Sequence, residues 1–277
     1  MPSPGRHTGA EAAACGYEPW RGLFRLVPRR RMDPELLDLP PDMQDSRELQ
    51  ESLLDIRRVN LRLGGVGSAL KELEFALGRM EKRESLGILD VAAGSADITA
   101  VMANYAEGKG YKVFSAAADL NPAALAAGRT WNLGPVDRHQ PVDRHQRNPE
   151  ISYISADGLA LPFPDGSFDI VHCSLVLHHL SRGDAVKFMV EMSRVSRFAV
   201  IIGDLRRNII PWALIWILTR LFTANRYTRY DGPLSVLKSF TLAEMRRLAE
   251  DAGIKDFKVR RRRFWRMSLL SFQVKRK

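Results

Sequence analysis

The chain has 277 residues, of which 45% are hydrophobic and 27% charged, and its formal net charge at neutral pH is +10. These values are typical of a globular protein and exclude a chain that is disordered throughout, collagen-like or a coiled coil. Because it has only two cysteines, Cys15 and Cys173, a disulfide framework and a cysteine-based zinc site are also excluded, and we predict a cytoplasmic protein.

Most of the positive charge lies at the two ends of the chain. Residues 1–31 contain six arginines and two glutamates, and residues 258–277 contain nine lysines and arginines and no acid. The remainder is therefore mildly acidic, whereas a nucleic-acid enzyme more often carries its basic residues on the working face of the domain. We expect no specific nucleic-acid partner and interpret the basic tail as a solvated edge.

Residues 1–31 are rich in proline, glycine, alanine and arginine and show no sustained hydrophobic periodicity. They also lack the apolar core of a secretory signal. At Met32 the composition changes, and acidic residues and leucines follow. We therefore predict that Met32 is the natural start and that residues 1–31 are a disordered or mis-assigned extension, whose removal leaves melting temperature and activity unchanged.

The body begins with two predicted helices, over residues 47–63 and 68–82, which form an N-terminal helical cap within 32–85. In the first of them apolar residues recur at helical spacing, as in an amphipathic helix. The glycine pair Gly64-Gly65 separates the two helices.

From residue 86 to residue 277 strands and helices alternate. The predicted strands cover 86–91, 111–118, 151–155, 168–174, 198–204, 254–263 and 266–275. The predicted helices between them cover 96–107, 122–131, 182–197 and 241–252. Alternation of this kind is typical of a parallel sheet with helices on both faces, so we predict an α/β, Rossmann-like fold.

Residues 206–240 interrupt this alternation, and we predict an inserted helical cover over the substrate. Their apolar run, 209–218, is too short to span a bilayer, which takes about 20 residues. We predict that it forms a buried helix or one that lines an apolar pocket. The alternative is a helix at a membrane surface, which would give a peripheral membrane contact through residues 209–222.

The strand at 86–91 passes through Asp90 into a turn of small residues that opens a helix. Small side chains let a ligand approach the backbone, and a helix N-terminus presents unpaired N–H groups. A dinucleotide-binding fold would place its third glycine where this chain has Asp97, so a nicotinamide dehydrogenase fits poorly.

The pattern Asp90-x-Ala92-x-Gly94-x-Ala96 instead resembles the first motif of class I S-adenosylmethionine-dependent methyltransferases, with alanine replacing the outer two glycines. Alanine is small enough for a close approach, but its Cβ disfavours a positive φ. We therefore expect that only Gly94 adopts such a backbone conformation.

Three further segments resemble the same family. Asp119 follows the second strand, where the family's acid binds both ribose hydroxyls, and Asp157 follows the third, where the family's acid receives the adenine amino group. The segment 161–169, LPFPDGSFD, is similar to a signature of small-molecule methyltransferases related to ubiquinone and menaquinone biosynthesis.

The resemblance implies a seven-stranded sheet whose last strand is antiparallel, and S-adenosyl-L-methionine as cofactor. In open α/β sheets ligands bind at the carboxyl edge of the strands, so we expect Asp90, Asp119 and Asp157 to converge around one adenosyl group above Gly94. The expected cofactor-binding residues are Asp90, Ala92, Gly94, Ala96, Asp119, Leu120, Ala156, Asp157, Gly158 and Ser174.

Three residues are candidates for catalysis, and none is assigned to a metal. His178 and His179 lie where the family's "LHH" segment borders the substrate, and a histidine can accept a proton from a phenol or enol near neutral pH. Asp204, at the end of the fifth strand, is a candidate to orient a histidine or to act as the base itself.

These observations predict methyl transfer to an oxygen, with carbon as the second choice, of an apolar small molecule such as a phenolic, quinone-like or polyketide-like acceptor. Two alternatives remain open at this point. One is an RNA methyltransferase that uses the basic tail, and the other is a non-catalytic binding module that kept the fold. The oligomeric state is not predicted.

Overall fold

The computed structural model describes residues 27–40, 43–133 and 149–273. Its helices are α1 (Ser46–Arg62), α2 (Gly65–Leu77), α3 (Asp97–Gly108), α4 (Pro122–Leu133), α5 (Arg182–Val195), α6 (Ile209–Phe222), α7 (Arg226–Lys238) and α8 (Leu242–Asp251). Its strands are β1 (Ser85–Val91), β2 (Lys112–Asp119), β3 (Ile151–Ser155), β4 (Phe168–Ser174), β5 (Ser196–Leu205), β6 (Phe257–Arg261) and β7 (Arg266–Phe272). Two short 3₁₀ turns cover Leu36–Asp38 and Leu177–His179.

The strands form one sheet in the order β3-β2-β1-β4-β5-β7-β6. Strands β1 to β5 run parallel to one another, and β7 runs antiparallel to both β5 and β6. This confirms the predicted seven-stranded, mostly parallel, Rossmann-like sheet. The reversal in strand order lies beside β1, which places a ligand-binding crevice at the carboxyl end of β1.

Both faces of the sheet are covered, as the near-continuous apolar strands require. Leu86 and Ile88 of β1 pack into a cluster with α2 and α3, whereas Leu89 and Val91 pack into the larger cluster with α5 and α8. Because side chains alternate along a strand, Asp90 points to the α3 side, just below the first turn of that helix.

The segment before α1 packs against the end of α7. Arg30 donates from Nε to the Lys238 carbonyl at 2.6 Å and from Nη2 to the Leu180 carbonyl at 2.8 Å, and its guanidinium lies 3.8 Å from the centre of the Phe240 ring. Most of the predicted 1–31 extension lies outside the described residues. These contacts, however, give Arg30 a place in the fold that the sequence pattern did not predict.

Helix α6 differs from the buried helix we expected. Only Pro211 and Thr219 of α6 are buried, and its outward side chains are largely exposed. Its other side packs on α7, where Gly232 allows Ile215 and Thr219 to approach closely. Of the two forms we predicted, the buried helix is therefore wrong, whereas the helix that lines a pocket agrees with Ile215, Leu218 and Phe222, which line a cavity.

Candidate active site

Three residues of the turn after β1 have left-handed backbone conformations, with φ of 54° at Ala92, 55° at Gly94 and 56° at Ala96. The expectation that only Gly94 would do so is wrong. Ala96 is the fully buried N-terminal cap residue of α3. The packing of α3 on the sheet thus outweighs the cost of about 1–2 kcal/mol that a Cβ imposes in this conformation.

Replacing Ala92 by glycine is expected to raise the free energy of unfolding by about 0.5–1 kcal/mol. Glycine removes a left-handed cost of about 1–2 kcal/mol, and its greater loss of freedom on folding offsets about 0.5–1 kcal/mol of that gain. The neighbouring Ala93 does not have a positive φ, so Ala93→Gly is the matched control and should lower stability. Equilibrium urea unfolding measures both, and a loss in both variants would contradict this explanation.

Asp119 contacts the turn directly. Its Oδ2 accepts the Gly94 N–H at 2.7 Å and its Oδ1 accepts the Asn121 N–H at 2.8 Å. Burial raises the pKa of this carboxyl, against the effect of its backbone hydrogen bonds. Each carboxylate oxygen keeps a further lone pair, so the group can still accept hydrogen bonds from ligand hydroxyls.

The space above Gly94 is open. A Cβ built on Gly94 meets no atom within 4 Å, and the adjacent start of α3 supplies unpaired N–H groups. The turn can therefore hold the polar end of a ligand against bare backbone, with the Asp119 carboxylate beside it. These features fit the cofactor that the resemblance implies.

The other two acids make different contacts. Asp90 is buried, accepts the Thr99 hydroxyl at 2.5 Å and lies 2.8 Å from His172 Nδ1, so it ties β1 to α3 and β4. Asp157 is exposed and accepts the Leu159 N–H at 2.9 Å. All three acids lie at the carboxyl ends of neighbouring strands, but of the three it is Asp119 that accepts a hydrogen bond from Gly94.

Three more of the expected cofactor residues lie around Asp119 and Asp157. The Ala156 N–H donates to the Asp119 carbonyl at 3.0 Å, which aligns the ends of β2 and β3. Leu120 is 70% exposed. A side chain at Gly158 would collide with the ring of Phe188, so the structure gives this glycine a packing role.

A cavity of about 680 Å³ lies between the turn after β1 and the cover formed by α1, α6 and α7. The predicted site residues that line it are Asp90, Ala92, Gly94, Ser174, His178 and His179. Asp119 and Asp204 lie directly behind lining residues, since they contact Gly94 and His178. The cavity therefore connects the candidate cofactor turn with the candidate bases.

His178 is held by Asp204 at two points. The ring Nδ1 lies 2.7 Å from Asp204 Oδ1, and the backbone N–H donates to Asp204 Oδ2 at 3.1 Å. Both side chains are almost completely buried. Because a carboxylate can only accept, this geometry assigns the ring proton to Nδ1 and leaves a lone pair on Nε2.

The Nε2 atom of His178 faces Glu35, whose Oε1 lies 4.0 Å away. Glu35 is buried in the cavity wall, with Lys238 Nζ at 3.2 Å and the Ser235 hydroxyl at 3.0 Å. Glu35, His178 and His179 form a compact group of the kind that can bind a metal. The Lys238 ammonium already supplies a positive charge beside Glu35.

His179 has a different environment. Its Nδ1 lies 2.8 Å from Asp38 Oδ1 and its Nε2 lies 3.8 Å from Glu35 Oε2. Burial alone would lower the pKa of His179, but these two carboxylates raise it above its usual value. Burial also raises the pKa of the nearby Asp231 to about 6. A raised pKa keeps the His179 ring protonated to higher pH, and a protonated ring cannot accept the proton of a hydroxyl.

Residues 89–198 match the family described as "Methyltransferase domain". This segment is therefore similar to methyltransferase domains. Curated relatives include the ubiquinone/menaquinone biosynthesis C-methyltransferases UbiE of Shewanella sp. (strain W3-18-1), 34% identical over 115 residues, and of Hahella chejuensis, 31% identical over 123 residues. The matches cover 41% and 44% of this chain but only 39% and 43% of those relatives.

Solved structures share the fold of the methyltransferase domain. A SAM-dependent methyltransferase from Aquifex aeolicus has a TM-score of 0.54 at 17% identity, over 81% of this chain and 98% of that one. Magnesium protoporphyrin IX methyltransferase from Synechocystis PCC 6803 has a TM-score of 0.51 at 15% identity, over 83% and 97%. With the family match, these findings confirm the predicted resemblance to class I methyltransferases, whose cofactor is S-adenosyl-L-methionine.

The sequence pattern did not identify Glu35, although this residue faces the candidate base His178. Glu35 sits in a short segment with no catalytic motif, 143 residues before His178. Asp231, whose carboxylate accepts the Leu36 and Leu37 N–H groups at 2.8 and 3.1 Å, fixes this segment. No local pattern could have predicted that contact.

Proposed function

We propose that the protein transfers a methyl group from S-adenosylmethionine to an oxygen of an apolar small molecule held in the cavity. One observation carries the proposal: Gly94, beside Asp119, and His178, held by Asp204, line the same cavity. A cofactor turn and a proton acceptor thus face one cavity, as methyl transfer to a hydroxyl requires.

In this proposal His178 is the general base. Its Nε2 takes the proton of the acceptor hydroxyl, and the buried Asp204 carboxylate stabilises the imidazolium that forms. S-adenosylmethionine, when bound, supplies an electrophilic methyl group on a sulfonium. The chain's remaining task is to align the acceptor oxygen with the cofactor turn and to limit the access of water, and we assign this task to the cover helices.

The lining of the cavity favours an apolar acceptor. On the side of the cover it includes Leu53 and Ile56 of α1 and Ile215, Leu218 and Phe222 of α6. Apolar side chains with a few polar groups are typical of sites for small molecules. A phenolic, quinone-like or polyketide-like molecule matches this combination of apolar walls and a candidate base.

Carbon is the second candidate for the methylated atom. The curated relatives are C-methyltransferases by name, and an ionised phenol carries part of its negative charge on ring carbons. Removal of the same hydroxyl proton by His178 would therefore activate either atom. The position of the ring in the cavity would then decide between oxygen and carbon.

The proposal is tested by measuring S-adenosylhomocysteine release with a panel of phenols, hydroxyquinones and aromatic polyketides, and by NMR identification of the methylated atom. We expect release that depends on an acceptor and saturates with it. The reaction without acceptor is the control. A protein that binds the cofactor but releases no more product with any acceptor than without one would contradict the proposal.

A further inference from the structure

Helix α6 carries two apolar stripes. Ile210, Leu214, Ile217 and Leu221 follow one another at intervals of four, three and four residues, and they are between 41% and 71% exposed. This spacing places them on one side of the helix. A single exposed leucine needs no explanation, but a contiguous apolar stripe marks an interaction surface.

The second stripe of α6 connects that surface with the cavity. Ile215, Leu218 and Phe222 line the cavity, yet Phe222 is also 79% exposed. The wall of the cavity and the outer face therefore meet at the C-terminal end of α6. A molecule bound against the outer face could pass along this edge into the cavity.

The rim of this surface is basic. Arg220, Arg226 and Arg229 are exposed where α6 ends and α7 begins. The Arg220 guanidinium lies 4.1 Å from the ring centre of Trp216, and Arg226 stays 65% exposed although Glu48 lies 3.6 Å away. Apolar side chains edged by arginines are typical of helices that lie in the interface of a bilayer with anionic headgroups.

We propose that α6 docks on the surface of an anionic lipid bilayer and that the acceptor enters the cavity from the lipid. Within the described part of the chain, every helix is too short or too polar to cross a membrane, so α6 would lie along the surface. Only the statement about the acceptor depends on the proposed function; the docking depends on the surface alone.

Charge favours a lipid surface over a second copy of this chain. In a two-fold contact through α6 the same patch would face itself. The arginines at the end of the helix would meet their own copies if the two helices ran parallel, or the positive N-terminal end of the partner helix if they ran antiparallel, and both contacts are unfavourable. Phosphate and carboxylate groups of lipids instead complement the rim.

The test is sedimentation of the full chain with vesicles of phosphatidylcholine, with and without phosphatidylserine. We expect binding to the anionic vesicles, weakened by salt. Ile217→Gln combined with Leu221→Gln should reduce partitioning by about tenfold or more, because two apolar side chains no longer enter the interface. The matched control, Phe114→Gln combined with Val190→Gln, changes two other exposed apolar residues and should bind like the wild type.

Several results would overturn the proposal. The first is that the wild type does not bind anionic vesicles, and the second is that the Ile217/Leu221 variant binds them as well as the wild type does. The third is that the wild type forms a dimer in sedimentation velocity and that this variant is a monomer. Thermal melting and calorimetry with S-adenosylhomocysteine show whether the variant is folded and has an intact cofactor site. Because neither vesicle binding nor cofactor binding requires turnover, failure of docking and failure of methyl transfer are distinguished.

Discussion

Replacing His178 by alanine is expected to lower kcat for methyl transfer by about 10²–10⁴-fold, the range that a positioned general base contributes. The affinity for S-adenosylhomocysteine should not change, because in the proposed arrangement the ring contacts the acceptor and not the cofactor. Assays of product release and calorimetry on the same preparation separate the two effects. Thermal melting checks that the loss of the contact with Asp204 leaves the fold intact.

Asp204→Asn provides a second variant that keeps the size of the side chain. Asparagine can still hold the ring, but it cannot stabilise an imidazolium with a negative charge, so kcat should fall and the pH profile should change. His179→Gln, one residue away, should lower kcat much less. A large loss in the His179 variant together with nearly normal turnover in the His178 variant would contradict the assignment of the base.

Replacing Asp119 by alanine is expected to raise the Kd for S-adenosylhomocysteine by about 100-fold. Two hydrogen bonds from ribose hydroxyls to a carboxylate contribute about 3 kcal/mol in total at the low end of their range, and each 1.4 kcal/mol is a factor of ten. The Gly94 N–H also loses the acceptor that orients it, which adds to the loss. Isothermal titration calorimetry measures the change.

Asp251→Ala is the control for this experiment. Asp251 is an exposed acid on α8 that pairs with the exposed Arg182, so its removal changes the net charge equally and should leave the Kd unchanged. Equal affinities of the wild type and the Asp119 variant would show that the ribose does not bind at the end of β2.

Local patterns were sufficient to predict the framework of the site. The apolar strand that ends at Asp90, the small-residue turn and the acid at the end of the next strand all depend on sequence neighbours. Parallel pairing then brings Asp119 and Gly94 to the same edge. Periodicity and turn chemistry therefore predict where the ligand edge lies, because the sheet imposes a regular geometry.

The parts that the sequence did not predict depend on contacts between distant segments. Glu35 reaches the wall of the cavity because α7 holds the segment before α1. Helix α7 itself contains Pro233, and a proline inside a helical pattern weakens the prediction of a helix. The left-handed conformations of Ala92 and Ala96 likewise follow from how α3 packs. Gly158 resembles a glycine of a binding loop, but the structure requires glycine there because a side chain would collide with the ring of Phe188.

A crystal structure with S-adenosylhomocysteine tests most directly whether cofactor and base share one chamber. We expect the ribose hydroxyls within hydrogen-bond distance of Asp119, the amino-acid end above Gly94, and the sulfur directed into the space that His178 Nε2 faces. A ligand bound elsewhere, or a sulfur screened from His178 by packed side chains, would contradict both the cofactor site and the proposed base.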